Sequence, residues 1–213
     1  MYLPSQFRED DGAFVESFVD AHPLATVVVP LNGKTLIDHI PFMRRHSLTR
    51  GGTLIAHAAK ANPLSKVLIT GVPAALVFTG ASAYVSPSWY PSKALHHEVV
   101  PTWNYVAVHV HGMLRCTTDD LEKRGFVDAL TRKMEASNPT PWSIEDAPAT
   151  YLEKMLDGIV GLIFDIESIT SKTKASQNRS SDDQQGVMEG LLAVSADDAA
   201  ATVERFVGGK ARV

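Results

Sequence analysis

An antiparallel, mainly β fold closing into a barrel with a few flanking helices is what this sequence of 213 residues predicts, and three observations carry that expectation. Asn32-Gly33 separates two apolar runs, and both residues tolerate the positive φ that a two-residue hairpin turn requires. The stretch "WNYVAVHVHGMLRC" alternates, with Asn104, Val106, Val108 and Val110 on one face and Tyr105, Ala107, His109 and His111 on the other. Helical spacing is confined to the start of the chain and its later part. A barrel removes the open edges that short antiparallel strands would otherwise expose.

The elements follow in order. Asp10 and Asp11 precede Phe14, Val15, Phe18 and Val19, a helical spacing that stops at His22-Pro23. "LATVVV" and "TLIDHIPFM" are the strands on either side of the Asn-Gly turn. "GTLIA" reads as the next strand, and "HAAKANP" as one helical turn stopped by Pro63. "AALVFTG" and "AYVS" continue the sheet. After Thr118 and Asp119, a helix groups Val127, Leu130 and Met134; another opens at Asp146-Ala147-Pro148, carries Leu152, Met155 and Leu156, and ends at Gly158. "IVGLIFDIESIT" returns to strand, alternating Val160, Leu162, Phe164 and Ile166 against Asp165 and Glu167. The polar segment from Lys172 to Gln185 reads as a mobile connector before a last, alanine-rich helix.

Composition bounds the function. With 45% hydrophobic residues, the chain can bury one full core, so residues 1–213 are expected to form a single domain with helical additions and a C-terminal helical tail. The single cysteine, Cys116, and the absence of a cationic segment followed by an apolar run at the start point to a cytoplasmic protein. Every apolar run is far shorter than the roughly 18 residues a membrane span needs. A formal charge of −4 argues against a general attraction to DNA, leaving "RRHSLTR" and "KTKASQNR" as local basic clusters.

The chemistry concentrates in two places. "GASAYVSPSWYPSK", Gly80 to Lys93, holds two tyrosines, a tryptophan and four serines, which suits a planar ligand carrying a phosphate better than an aliphatic core or an idle loop. On the expected turn after "GTLIA", His57 and Lys60 stand three apart and could face one anion, with Asn62 adding an amide. His39 lies on a strand beside Ile37 and Pro41 and matters only in company. His109 and His111 share a strand face without a third ligand, and His96-His97 is no stronger, so no metal site is expected. Cys116 has no activating partner, and no catalytic residue is assigned.

Four phrases occur in order across residues 1 to 179: "MYLPSQF", "HAAKANP", "YVSPSWYPSK" followed by "VVPTWNYVAVHVHG", and "KTKASQNR". Together they resemble the PaiB-type family of FMN-binding negative transcriptional regulators. That resemblance implies an FMN-binding split barrel, a six-stranded antiparallel Greek-key barrel with flanking helices, built as a homodimer with flavin where two subunits meet. It also implies a cofactor-binding set of His39, His57, Lys60, Asn62, Tyr84, Ser86, Trp89, Lys93, Trp103, Asn104, Lys174, Gln177 and Asn178, with Trp103 and Asn104 offered by the opposite subunit. The mixed face begun by Trp103, Asn104 and Tyr105 favours such a partner independently. Three functions follow: a repressor, a flavin-dependent oxidoreductase, or a dimeric barrel without cofactor. The last draws on Ala81-Ser82 and Ala175, which stand where the family pattern reads Pro-His and Leu.

Overall fold

Alternation of valines in strand β1 (Leu24–Leu31) buries Ala25, Val27 and Val29 completely. The chain then reverses onto β2 (Lys34–Pro41) in antiparallel register, Leu24 opposite Pro41 and Leu31 opposite Lys34. Gly33 sits at φ 74°, the left-handed conformation the tight turn needs. The computed structural model describes residues 1–31, 33–67 and 70–205; Asn32, the other half of that turn, lies outside the described residues.

The remaining elements are α1 (Gly12–Ala21), β3 (Met43–Arg44), β4 (Thr53–Ala59), α2 (Pro63–Val67), β5 (Val72–Val85), α3 (Lys93–His96), β6 (Thr102–Thr117), α4 (Asp120–Glu135), α5 (Ala149–Asp157), β7 (Ile159–Lys174), α6 (Ser181–Ala193) and α7 (Asp197–Glu204). The strands form one sheet in the order β2-β1-β5-β6-β7-β4-β3. This corrects the six-stranded closed barrel. Among the described residues there are seven strands, because the short β3 pairs with β4 through Met43–Ile55 and Arg44–Leu54 and occupies the edge, and no ladder there joins β3 back to β2. Instead, the Asn62 amide after β4 donates to the Asp38 carboxylate of β2 at 2.5 Å, a side-chain bridge in place of a closing ladder.

The chain divides into two compact units, Met1–Val15 with Thr79–Val108 and Thr170–Val213, and Glu16–Phe78 with His109–Ile169. In the second, Phe42 and Phe164 meet edge to face at 6.5 Å in a core that includes Leu54, Leu76, Phe78 and Leu162. Helix α4 is capped by Asp119, whose carboxylate accepts the Glu122 N–H. Its fully buried residues are Phe126 and Lys123; of the expected Val127, Leu130 and Met134, Val127 packs against Ile144, Leu152 and Leu156, Leu130 is partly buried, and Met134 is exposed. Phe126 fits because Gly161 opposite leaves room for its ring, which would touch a Cβ there at about 3 Å. Lys123 is buried because its ammonium donates to the Leu156 carbonyl, closing the end of α5, and pairs with Asp120.

In the first unit, α6 and α7 pack Val187, Leu191, Ala199, Ala200 and Val203 against Ala83, Val85, Tyr90 and Ala175. Here the expected connector is corrected: β7 runs to Lys174, and Lys172, Thr173, Ala175 and Ser176 are all buried. Their polar groups have partners. Ser171 donates to the Glu9 carbonyl, Thr173 to the Glu9 carboxylate, and the Lys172 ammonium lies over Tyr2, Phe7 and Tyr105 at 5.3 to 5.9 Å.

Candidate functional site

Nine of the thirteen expected cofactor residues belong to the first unit. Tyr84 near the end of β5 and Trp103 near the start of β6 stand on neighbouring strands, their ring centroids 6.1 Å apart and 74° tilted. Both rings are about half exposed, 47% and 55%. Ser86 turns inward to accept the Ser88 N–H and cap the single helical turn Pro87–Trp89, while Lys93 donates to the Ser88 hydroxyl at 3.2 Å. Trp89 is half-buried beneath α6, against Gly186 and Gly190. Ser86 and Trp89 are therefore held by the fold's own contacts.

Asn104 and Lys174 line a cavity of about 270 Å³ together with Asn178. The Asn104 amide is buried and donates to the Ser176 hydroxyl at 3.0 Å, so its partner lies in its own chain. Lys174 donates to the Thr102 hydroxyl. Gln177 works on the backbone: its amide oxygen accepts the Ala175 N–H at 2.7 Å and its amide nitrogen donates to the Thr173 carbonyl, fixing a turn in which Ser176 takes φ 61°. Sequence reasoning missed the other eight lining residues, among them Tyr90, Thr102, Ser176 and Arg179. Arg179 lies in the noted basic run and Tyr90 in the noted aromatic one, yet only the fold shows the guanidinium 4.5 Å above the Tyr90 ring. The Tyr90 hydroxyl is buried and meets no acceptor, and burial raises its pKa against the opposing pull of the Arg179 guanidinium.

His39, His57, Lys60 and Asn62 belong to the other unit. His57 is not on a helical turn: β4 extends through Ala59, its ladder to β7 pairing His57 with Gly161 and Ala59 with Ile159. Pro63 begins α2 instead of ending a turn, which suits a residue with no N–H to offer. His57 and Lys60 consequently do not share a helical face. The His57 Nδ1 is buried and without a partner, and desolvation holds the ring below the ordinary value of 6.5. Lys60 and His39 are exposed. Asn62 is committed at both ends, to Asp38 and, through its oxygen, to the Leu64 N–H.

The fold engages the basic clusters only in part, since Arg45 and Arg50 are exposed. Arg44 is held by Glu16 at 2.9 Å and Asp20 at 2.5 Å, with Lys133 also on Asp20. Burial would raise the Asp20 pKa, but the hydrogen bonds from Arg44 and Lys133 outweigh it and hold the carboxyl below its ordinary range. Lys172 is buried and Lys174 faces the cavity. His109 and His111 lie 6.5 Å apart, and no group of three metal-binding side chains occurs among the described residues. Cys116 is half-buried with its thiol pKa raised by burial, the environment of an unreactive thiol. No helix among the described residues is long and apolar enough to cross a membrane.

Comparison with known proteins agrees with this architecture. A family model described as "Putative FMN-binding domain" matches residues 1–168. The protease synthase and sporulation protein PAI 2 of Bacillus subtilis is 33% identical over 200 residues, covering 90% of this chain and 89% of its own. Among solved structures, the FAD and heme binding protein from Mycobacterium smegmatis superposes with a TM-score of 0.59 at 22% identity, covering 78% of this chain and 73% of that one. The flavocytochrome Anf3 from Azotobacter vinelandii gives 0.55 at 19% identity, over 81% and 72%. These two likenesses establish the fold, a mainly antiparallel, split-barrel-like sheet with flanking helices. From the family match and the extent of its likeness to PAI 2, the chain belongs to the FMN-binding domain family, and FMN is its cofactor.

Proposed function

We propose that this protein works as a homodimer that holds FMN against the Tyr84–Trp103 face and lowers the expression of other genes. One observation carries the flavin part: two aromatic rings, each about half exposed, stand edge to face on adjacent strands. A monomer seldom leaves such a pair open, and an isoalloxazine ring, flat and apolar with polar edges, is the kind of ligand that covers it. The residues fit the cofactor in that respect, and bound FMN would supply a redox-active ring. A second copy of the chain would cover the rest of the exposed face begun by Trp103. His39, His57, Lys60 and Asn62 form a separate candidate group, in which Lys60 and His39 are open to a ligand and the His57 Nδ1 is buried without a partner.

Support for regulation comes from the resemblance to negative regulators and from the relative named for protease synthesis and sporulation. Arg44 and Lys172 are already engaged within the chain, so regulation through a phosphate-contacting surface built on these clusters is not the route proposed.

The test is a titration of FMN followed by quenching of its fluorescence, with light scattering on the same sample. Quenching at micromolar concentration and a mass of twice the 23.1 kDa chain are expected. Trp103→Ala should weaken FMN by about 2 kcal/mol, roughly thirtyfold. His57→Ala is measured on its own, because it belongs to the other unit. Transcript levels in cells carrying wild type or Trp103→Ala report the regulatory part. A folded dimer that leaves FMN fluorescence unchanged would refute the flavin reading. Quenching with unchanged transcripts, together with oxidation of NADH or NADPH, would replace repression by oxidoreductase chemistry.

A further inference from the structure

We propose that the cavity beneath the Lys174 to Arg179 turn is a binding site for the phosphate group of a small ester other than the flavin. Its charge is the first argument. The chain as a whole is acidic at −4, yet Lys174 and Arg179 both line this cavity and its described lining carries no carboxylate. Neither cation is paired with an Asp or Glu among the described residues. Asp183, the nearby acid of α6, is turned to Ser92 and accepts from its N–H at 3.0 Å and its hydroxyl at 2.8 Å. Two unpaired cations facing one enclosed space favour a doubly charged oxyanion.

The second argument is independent of charge. Tyr90 lines the cavity, is only 2% exposed, and has a buried hydroxyl that meets no acceptor for its proton; the one side chain beside it, Arg179, can only donate. A buried hydroxyl is costly to leave unpaired, and a phosphate oxygen is an acceptor it lacks. The Asn104 and Ser176 side chains, both buried, bond to each other and keep the floor rigid. The Arg179 guanidinium lies over the Tyr90 ring, its central carbon 4.5 Å from the ring centroid, a contact that restrains the side chain beside the cavity.

Size decides the kind of molecule. About 270 Å³ falls below the roughly 300–1,000 Å³ of sites that enclose drug-sized ligands. The space takes a phosphate with a few carbons, not a whole flavin nucleotide. The protein would then answer to two ligands, the flavin and a small phosphate ester.

The experiment is calorimetric titration of inorganic phosphate into the full-length protein, alone and saturated with FMN, with parallel titrations of FMN and riboflavin. Saturable binding of one phosphate per chain is expected, with the same affinity whether or not FMN is present. Arg179→Met should weaken phosphate about tenfold or more, and Tyr90→Phe severalfold with a melting temperature no lower than wild type, since it removes a buried oxygen that has no acceptor. Three results would overturn the proposal: no saturable binding up to about 10 mM phosphate, binding unaffected in both variants, or competition between phosphate and FMN but not riboflavin. The last would assign the cavity to the flavin's own phosphate. Failure here leaves FMN quenching at Tyr84 and Trp103 untouched, so the two readings fall separately.

Discussion

Replacing Gly186 in α6 with alanine is expected to destabilise the protein, whereas the same exchange at Gly125 in α4 is expected to stabilise it. A Cβ at Gly186 would stand 2.1 Å from the Trp89 carbonyl oxygen and 3.1 Å from a ring carbon of Pro91. A backbone oxygen cannot rotate aside, so α6 must retreat by on the order of 1 Å to restore an ordinary C···O separation. Overpacking of this kind costs about 1–3 kcal/mol, and the better helix propensity of alanine offsets about 1 kcal/mol of it. A net loss of about 1 kcal/mol remains. At Gly125 nothing lies within 4 Å, so only the propensity gain is left. Thermal unfolding followed by circular dichroism reads the pair. For a chain of this length 1 kcal/mol moves Tm by about 2–4 °C, which places G125A above wild type and G186A below it by that much each. Gly190 makes a third point, since a Cβ there would lie 2.2 Å from the Trp89 ring. If G186A melted as high as G125A, the claim that α6 owes its seat to bare backbone over Trp89 would be wrong.

Acid should weaken the fold partly through His57. Burial keeps its folded pKa below 6.5, so this contribution is complete above about pH 6.5 and is lost as pH falls and the unfolded chain takes up the proton first. Urea midpoints between about pH 7.5 and about pH 5 should fall less steeply for His57→Gln than for wild type, and equal slopes would contradict it. His109, also held down by burial, supplies a part of the slope that the variant retains. Ser180→Ala removes the side-chain oxygen that accepts the Asp183 N–H at the start of α6, and a melting loss equivalent to about 1 kcal/mol is expected. An unchanged Tm would mean that tertiary packing alone sets that helix end.

The strands were legible because their signals are local. A period of two through β6 and the Asn-Gly turn between β1 and β2 require no knowledge of distant partners. Where the sequence misled, the deciding partner lay far along the chain. Ala58 and Ala59 have weak strand preference, yet the ladder to β7, a hundred residues later, keeps them extended. Thr173 and Ser176 look like linker residues until Glu9 and Asn104 supply their hydrogen bonds. The candidate site divides the same way. Tyr84 and Trp103 stand out in any aromatic-rich stretch, but the phosphate cavity draws its walls from Gln6, Tyr90, Thr102 and Arg179, and no local spacing connects those four.

The unit that holds both candidate sites is made of three separated pieces of chain, and the last begins at Thr170. During synthesis, Val85 and Tyr90 exist long before Ala175 has been made. Their common core with Val187, Leu191 and Val203 cannot close until those residues have left the ribosome. The contacts that finish this unit join residues more than 150 positions apart, such as Thr173 with Glu9, and carry the entropy of closing that whole loop. A chain released early, lacking α6 and α7, would therefore leave Val85, Trp89 and Tyr90 without the helices that cover them. The core of this unit and the cavity beside it are therefore completed only by residues from Thr170 onward.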